Sequence, residues 1–259
     1  MCLILVAWQV HEDFPLVLAA NRDEYYCRPA LPLAPWTDSP DILGGRDLEA
    51  GGSWLACHRD GRFAAVTNVR QGSPEKARCS RGDLVRNYLQ SNLQPDEFAE
   101  TIRAEEYAGF NLLLGSREAL LYLSNRGRES VQALSVQALS PGIYGLSNHQ
   151  LDSPWPKLLK AREDFSRALA GLPDDEAFFR LLADTGQAAD ADLPDTGVPL
   201  ALERMLSSIF VASATYGTRA STLMRCDRMG NFSMEERRFG PHGVSLDTPS
   251  RCGSQKDSP

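Results

Sequence analysis

The chain has 259 residues, 42% of them hydrophobic and 24% charged, which suffices for one large domain or two small ones whose core needs neither disulfides nor metals. Its formal net charge of −7 argues against nucleic acid or an anionic membrane as the main partner, because both attract basic surfaces, although arginine far outnumbers lysine and leaves room for a local cationic pocket. The six cysteines (Cys2, Cys27, Cys57, Cys79, Cys226 and Cys252) are scattered with no Cys-x-x-Cys, so a metal site or redox dithiol has no support and reduced thiols are expected.

Leu3–Val10 is rich in strand formers and is followed by the polar turn His11-Glu12-Asp13-Phe14-Pro15 and a second apolar run, Leu16–Ala20. The pattern predicts a hairpin of two buried strands that delivers Asn21-Arg22-Asp23-Glu24 beside the chain start. Leu3–Trp8 is too short to cross a membrane and lacks a basic leader or a small-residue cleavage site. The expectation is a cytoplasmic protein with no integral membrane segment. Prolines at 29, 32, 35 and 40 predict an ordered loop over Arg28–Pro40. The glycine-rich Gly44–Trp54 reads as a turn region that fits neither a dinucleotide fingerprint nor a P-loop. A second hairpin follows over Trp54–Cys57 and Phe63–Thr67, ending at Asn68.

Helical spacing appears over Gly82–Asn92 and Pro95–Glu106, the second opening with proline in its first turn. Strand signals return at Asn111–Gly115, Ala119–Ser124 and Val131–Leu134. Pro154–Gly171 predicts a helix capped by Asp152 or Ser153, then Glu176–Asp184, an acidic loop over Thr185–Val198 and a short helix over Leu200–Leu206. A last hairpin joins Ser221–Cys226 to Phe232–Phe239. Glu105-Glu106 and Glu235-Glu236-Arg237-Arg238 read as exposed faces. Residues 1–240 are expected to form one domain, and 241–259 a loose tail. Antiparallel hairpins interrupted by helical blocks indicate an α+β protein with helices covering two sheets.

The chemistry is concentrated at the start. Methionine is usually trimmed before a small residue, so Cys2 can become the N-terminal residue and carry both a thiol and a free α-amine. These groups titrate near pKa values of about 8.5 and 7.7–8.0, close to working pH. An N-terminal amine that activates its own side chain is an established route to nucleophilic catalysis. Arg22 would favour the thiolate, and Asp23 would orient the amine or Arg22.

Met1-Cys2, Asn21-Arg22-Asp23-Glu24, Gly44-Gly45-Arg46-Asp47-Leu48, Gly145-Leu146-Ser147-Asn148 with Trp155-Pro156-Lys157, and Tyr216-Gly217-Thr218-Arg219 occur in order along most of the chain. Together they resemble the NRDE family, whose eukaryotic members are the transport and Golgi organisation proteins. The resemblance implies a four-layer αββα sandwich of the N-terminal-nucleophile hydrolase type. More distantly it is similar to cysteine amidases acting on conjugated bile acids and penicillin V. It implies Cys2, Arg22, Asp23, Asn68 or Asn148, and Arg219 as site residues. Cys2 would attack an amide, thioester or ester carbonyl and its amine would shuttle the proton. Asn148, with Asn68 or a backbone N–H, would donate to the oxyanion, and Arg219 would balance charge or meet an anionic group.

The expected function is hydrolysis of a linear amide-type C–N bond with a small-molecule acyl-amide or acyl-thioester as partner and no cofactor. The alternative implied by the resemblance is a binding protein for haem or lipid and acyl-CoA, with Cys2 or His149 as candidate haem ligands. Bland readings stand beside these. Cys2 is also a small apolar strand residue, Arg22 and Asp23 a structural ion pair, the asparagines turn residues, and Arg219 a salt-bridge former. His149 is a lone histidine in a polar loop, and Trp8, Trp36, Trp54 and Trp155 are core candidates.

Overall fold

The computed structural model describes residues 2–70, 77–126, 133–246 and 248–254. The N-terminal hairpin forms as expected from β1 (Cys2–Trp8) and β2 (Leu16–Tyr25). β1 is apolar on both faces because both are covered: Ile4, Val6 and Trp8 enter one core, Leu3, Leu5 and Ala7 another. Next come β3 (Ala30–Trp36), β4 (Ser39–Asp47), β5 (Leu55–His58), β6 (Phe63–Asn68), α1 (Arg81–Gln90), α2 (Pro95–Thr101), β7 (Phe110–Gly115), β8 (Leu120–Ser124), β9 (Ser135–Ala138) and β10 (Gly142–Leu146). Three helices, α3 (Pro156–Leu169), α4 (Glu176–Leu182) and α5 (Leu200–Leu206), precede β11 (Tyr216–Cys226), β12 (Phe232–Arg238) and β13 (Ser250–Ser254).

The strands form a six-stranded antiparallel sheet, β10-β1-β2-β11-β12-β13, and a seven-stranded one in chain order from β3 to β9. Leu18 and Met224 from the first sheet meet Leu43, Phe63 and Leu113 from the second in the central core. Helices α3 and α4 cover the outer face of the six-stranded sheet through Leu158, Phe165 and Phe178. On the outer face of the other sheet lie α1 and α2, through Leu84, Tyr88 and Phe98. The result is the expected α+β, four-layer αββα sandwich, each layer burying the apolar face of the next.

Four expectations are corrected by tertiary context. Arg28–Pro40 is not a loop but β3 and the start of β4. β3 is a sheet edge, where a ladder is needed on one side only and prolines are tolerated, with the pairing shifted around them. β2 does not stop at Ala20, because β11 pairs with it as far as Tyr25, so Asn21–Glu24 lie inside a central strand. The tail is not loose throughout, since Ser250–Ser254 pairs with β12 and covers what would be an open edge. Glu235 and Glu236 are buried, not exposed; burial pushes the Glu236 carboxyl up, and its Oε1 accepts the Leu33 N–H at 2.8 Å between the sheets.

Of the strand expected at Val131–Leu134, residues 131 and 132 lie outside the described residues, and the strand observed there is β9. Helix α3 starts after Trp155 with Pro156 in its first turn, while Asp152 accepts the Gly145 N–H and does not cap it.

Asn21 fixes β2 to the helical layer. Its Nδ2 donates to the carbonyls of Leu182 (2.8 Å) and Ile209 (2.9 Å), and its Oδ1 accepts the Ser221 hydroxyl at 2.6 Å. Asn21→Ala strands these buried groups, and urea unfolding is expected to show a loss of about 2–4 kcal/mol. A change below about 0.5 kcal/mol, ordinary for a surface site, would remove Asn21 as a clamp.

Candidate functional site

The β1–β2 register sets Cys2 directly opposite Arg22. Strand alternation then separates the two charged neighbours: Arg22 shares a face with Cys2, and Asp23 takes the opposite, helix-facing side. Cys2, Arg22 and the border of Asp23 line a cleft of about 620 Å³, within the range of small-molecule sites. Its walls include Glu24, Arg28, Asp47, Trp54, Asn68 and the start of α1 at Ser80–Gly82.

Arg22 is 6% exposed and lies over the Trp54 ring, 4.2 Å from its centroid. The ring sits against Gly45, where a Cβ would come within 2.4 Å of it. Asp47 meets Arg22 at 3.5 Å and Arg28 Nε at 2.6 Å, and its Oδ1 accepts the N–H groups of Glu49 and Ala50, both at 3.0 Å. The glycine-rich segment thus builds a shelf for the arginine: one residue lets the indole in, and the next but one holds the guanidinium.

Cys2 is half-buried. Burial pushes its thiol up and Asp23 adds to the rise, while the charged chain terminus and, to a lesser degree, Arg22 and a backbone hydrogen bond from Asp23 oppose it. Asp23 is 3% exposed and accepts the Thr218 hydroxyl at 2.7 Å; burial raises its carboxyl while the charged chain terminus and, to a lesser degree, Lys157, Thr218 and Arg70 pull it down. The Tyr216-Gly217-Thr218 segment reaches Asp23 a second time, through the Tyr216 hydroxyl donating to its carbonyl at 3.2 Å.

Asn148 is fully buried, and its Oδ1 accepts from the Cys2 nitrogen at 3.3 Å. Its Nδ2 donates to the Asn68 carbonyl at 2.9 Å, and the neighbouring Ser147 hydroxyl donates to the Cys2 carbonyl at 3.0 Å. Asn68 ends β6 with its side chain exposed on the cleft wall. Arg219 occupies an irregularity in the β2–β11 pairing, off the cleft lining, and donates to the carbonyls of Tyr25 (3.2 Å) and Arg28. His149 is exposed, hydrogen-bonded through Nδ1 to Ser153 and stacked on Trp155, and it too lies off the cleft lining. Cys2, Arg22, Asn68 and Asn148 are therefore brought together with Asp23 immediately behind them, and Arg219 is not.

Sequence reasoning passed over Asp47, Trp54 and Lys157. Asp47 and Lys157 stood inside quoted motifs, but only the folded chain brings their charges to β2. Trp8, Trp36 and Trp155 are buried as expected, and the half-buried Trp54 carries Arg22.

Burial alone would raise Asp47, but the Arg28 guanidinium and the N–H groups of Ala50 and Glu49 hold its carboxyl below the ordinary range. A depressed carboxylate contributes stability above its unfolded pKa of about 3.9 and loses it as pH falls through the lower folded value. Asp47→Asn should therefore flatten the pH dependence of stability below about pH 4. Superimposable melting-temperature curves across that window would remove Asp47 as a source of acid sensitivity.

The family described as Transport and Golgi organisation 2 matches residues 1–241. The Mus musculus Transport and Golgi organization 2 homolog is 33% identical over 261 residues, and the Bos taurus homolog 35% identical over 262, each match covering 92% of both chains. Among solved structures, the Caenorhabditis elegans N-acylethanolamine-hydrolyzing acid amidase ortholog superposes with a TM-score of 0.53, covering 86% of this chain and 92% of its own at 12% identity. That likeness is one of fold, and the fold is the N-terminal-nucleophile hydrolase sandwich. With a family match over nearly its whole length and relatives at a third identity, the chain belongs to the Transport and Golgi organisation 2 family.

Proposed function

We propose that the chain is a cysteine N-terminal-nucleophile hydrolase cleaving a linear amide-type C–N bond, or a thioester or ester, through Cys2 after Met1 is removed. The observation that carries this reading is the pairing of Cys2 with Arg22 in one cleft while the Cys2 nitrogen is held by Asn148. Loss of Met1 would turn that nitrogen into a free amine beside its own thiol.

In the proposed cycle the amine takes the thiol proton and Cys2 Sγ attacks the substrate carbonyl, forming an acyl-thioester. The proton passes to the departing amine as the C–N bond breaks. Water, losing a proton to the Cys2 amine, then hydrolyses the acyl-enzyme, and that proton returns to sulfur to restore the thiol. Asn148 would orient the amine through Oδ1, and its Nδ2 is already donating to the Asn68 carbonyl. The exposed Asn68 amide on the cleft wall is the better candidate for the oxyanion, a contribution of about 3–4 kcal/mol at other such sites. Asp23 would seat the amine from behind. In this reading Arg219 shapes the Tyr25–Arg28 turn that carries one wall of the cleft.

The alternative, haem or acyl-CoA binding without hydrolysis, would use the same cleft with Cys2 as its thiol. The charged walls at Arg22, Glu24, Arg28 and Asp47 favour polar substrate contacts over the apolar faces of a haem.

Alkylation of Cys2 against pH, read by mass on the N-terminal peptide, tests trimming and nucleophilicity together. Burial raises the thiol, so the expected result depends on trimming: a peptide starting at Cys2 whose own amine, now beside the thiol, brings its reaction below the free-thiol pKa of about 8.5. Retained Met1 or an unreactive thiol would end the amine-as-base mechanism. Cys2→Ala should keep the fold by circular dichroism and lose turnover on amides and thioesters, and full turnover in that variant would refute the nucleophile.

Arg22 opposes the rise of the Cys2 thiol, so Arg22→Ala should move the alkylation midpoint up by about one unit, or tenfold at fixed pH. An unmoved midpoint would show that the guanidinium serves Asp47 and Trp54 only.

A further inference from the structure

The inward face of the seven-stranded sheet turns polar at its cleft end. Along β6 that face carries Phe63, Ala65 and then Thr67, and along β7 it carries Leu113 and, one step nearer the cleft, Asn111. Thr67 and Asn111 pair directly across the strands and are 1% and 0% exposed. Polar groups this deep are tolerated only where their hydrogen bonds are met.

Both side chains spend those bonds on the segment that follows β10. The Thr67 hydroxyl donates to the Ser147 carbonyl at 2.7 Å, the Arg70 N–H to the Asn148 carbonyl at 2.7 Å, and Asn111 Nδ2 to the His149 carbonyl at 2.8 Å. Three successive carbonyls are thereby tied to β6, β7 and the residues leaving β6. Asn111 Nδ2 also donates to the Thr67 hydroxyl at 3.2 Å, and its Oδ1 accepts the Tyr122 hydroxyl at 2.8 Å, which in turn accepts the Leu151 N–H at 3.3 Å. Each hydroxyl accepts one bond and passes its own proton onward, so the chain from Leu151 through Tyr122, Asn111 and Thr67 to Ser147 runs in one direction and fixes which way the Asn111 amide faces. The segment held in this way is the one that meets the nucleophile. Ser147 donates to the Cys2 carbonyl, and Asn148 joins the Cys2 nitrogen to the Asn68 carbonyl on the opposite sheet.

We propose that Thr67 and Asn111 are positioning residues that hold Ser147–His149, and through Asn148 the Cys2 nitrogen, at a fixed place relative to the cleft wall at Asn68. This rests on the hydrolase reading above. Neither residue is part of the cleft lining, and both act through Asn148. Without the Thr67 hydroxyl the Ser147 carbonyl and the Asn111 amide each lose a partner. Asn148 then shifts, and the Cys2 amine leaves the geometry that proton transfer from its thiol requires.

The test is the pH profile of Cys2 alkylation by iodoacetamide, read by mass on the N-terminal peptide. It is measured in the full-length protein and in Thr67→Val, Thr67→Ser, Asn148→Ala and the Thr67→Val/Asn148→Ala double variant. Valine keeps the branched shape and loses the hydroxyl, whereas serine keeps the hydroxyl. The expected result is a loss of about tenfold at pH 7 in Thr67→Val, a rate within about twofold of the unsubstituted protein in Thr67→Ser, and no further loss when Thr67→Val is added to Asn148→Ala. A folded Thr67→Val with an unchanged profile, or a Thr67→Ser as slow as Thr67→Val, would overturn the positioning role and leave the nucleophile reading standing. An ordinary thiol profile in the unsubstituted protein would overturn both. Full additivity in the double variant would mean that Thr67 does not act through Asn148, and would also overturn the proposal. Should Thr67→Val fail to melt cooperatively, Tyr122→Phe at the far end of the chain decides: a loss of about threefold supports the proposal, and an unchanged profile overturns it.

Discussion

The site depends on the placing of β2 between β1 and β11. Pairing with β1 brings Cys2 opposite Arg22, and pairing with β11 brings Thr218 opposite Asp23. Because side chains alternate along a strand, a slip of one residue would turn Arg22 into the helical layer and Asp23 into the cleft. The register is held by apolar faces on both sides: Leu16, Leu18 and Ala20 enter the inter-sheet core, and Val17 and Ala19 enter the core under α3 and α4. The same packing that stabilises the sandwich therefore decides which charge meets the thiol.

Charges this deep are tolerated because each is matched. On the cleft side, Arg22 has Asp47 and the face of Trp54. On the helical side, Arg70 has Glu203, and Lys157 lies among the charges acting on Asp23. Desolvation lowers the ammonium of Lys157 and raises the carboxyl of Asp23 and the thiol of Cys2. A site built this way is sensitive to the loss of any single partner, since a buried charge without its counterion costs more than the pair contributes.

The two asparagines divide their work differently from the expectation that Asn148, with Asn68 or a backbone N–H, donates to an oxyanion. Asn148 is fully buried and stitches the end of β6 to the start of β1, accepting from Cys2 and donating to Asn68. Its amide is a structural bridge that fixes the Cys2 nitrogen. Asn68, at the end of β6, is exposed and borders the cleft. Arg219, one residue beyond Thr218, faces away from Asp23 across the pairing irregularity and braces the Tyr25–Arg28 turn. Adjacent positions in one motif thus serve opposite faces of the sheet.

The amino-acid sequence by itself determined the N-terminal hairpin, the helices over Arg81–Gln90 and Pro156–Leu169, and the approach of Asn21–Glu24 to Cys2, but not which of Arg22 and Asp23 faces it. These rest on local signals: apolar runs around a proline-closed turn, and helical spacing behind a first-turn proline. The family motifs carried the αββα layering, which periodicity alone does not specify. Only the tertiary structure decided the rest. Prolines at positions 32 and 35 became part of a strand because β3 is an edge, and Glu236 went inside because the Leu33 N–H was there to meet it. Lys157 joined the surroundings of Asp23 because α3 packs over β1 and β10, bringing together residues 134 positions apart in the sequence. Long-range pairing of this kind leaves no local trace in composition or spacing, because its energy comes from burial and charge matching between segments that meet only after folding.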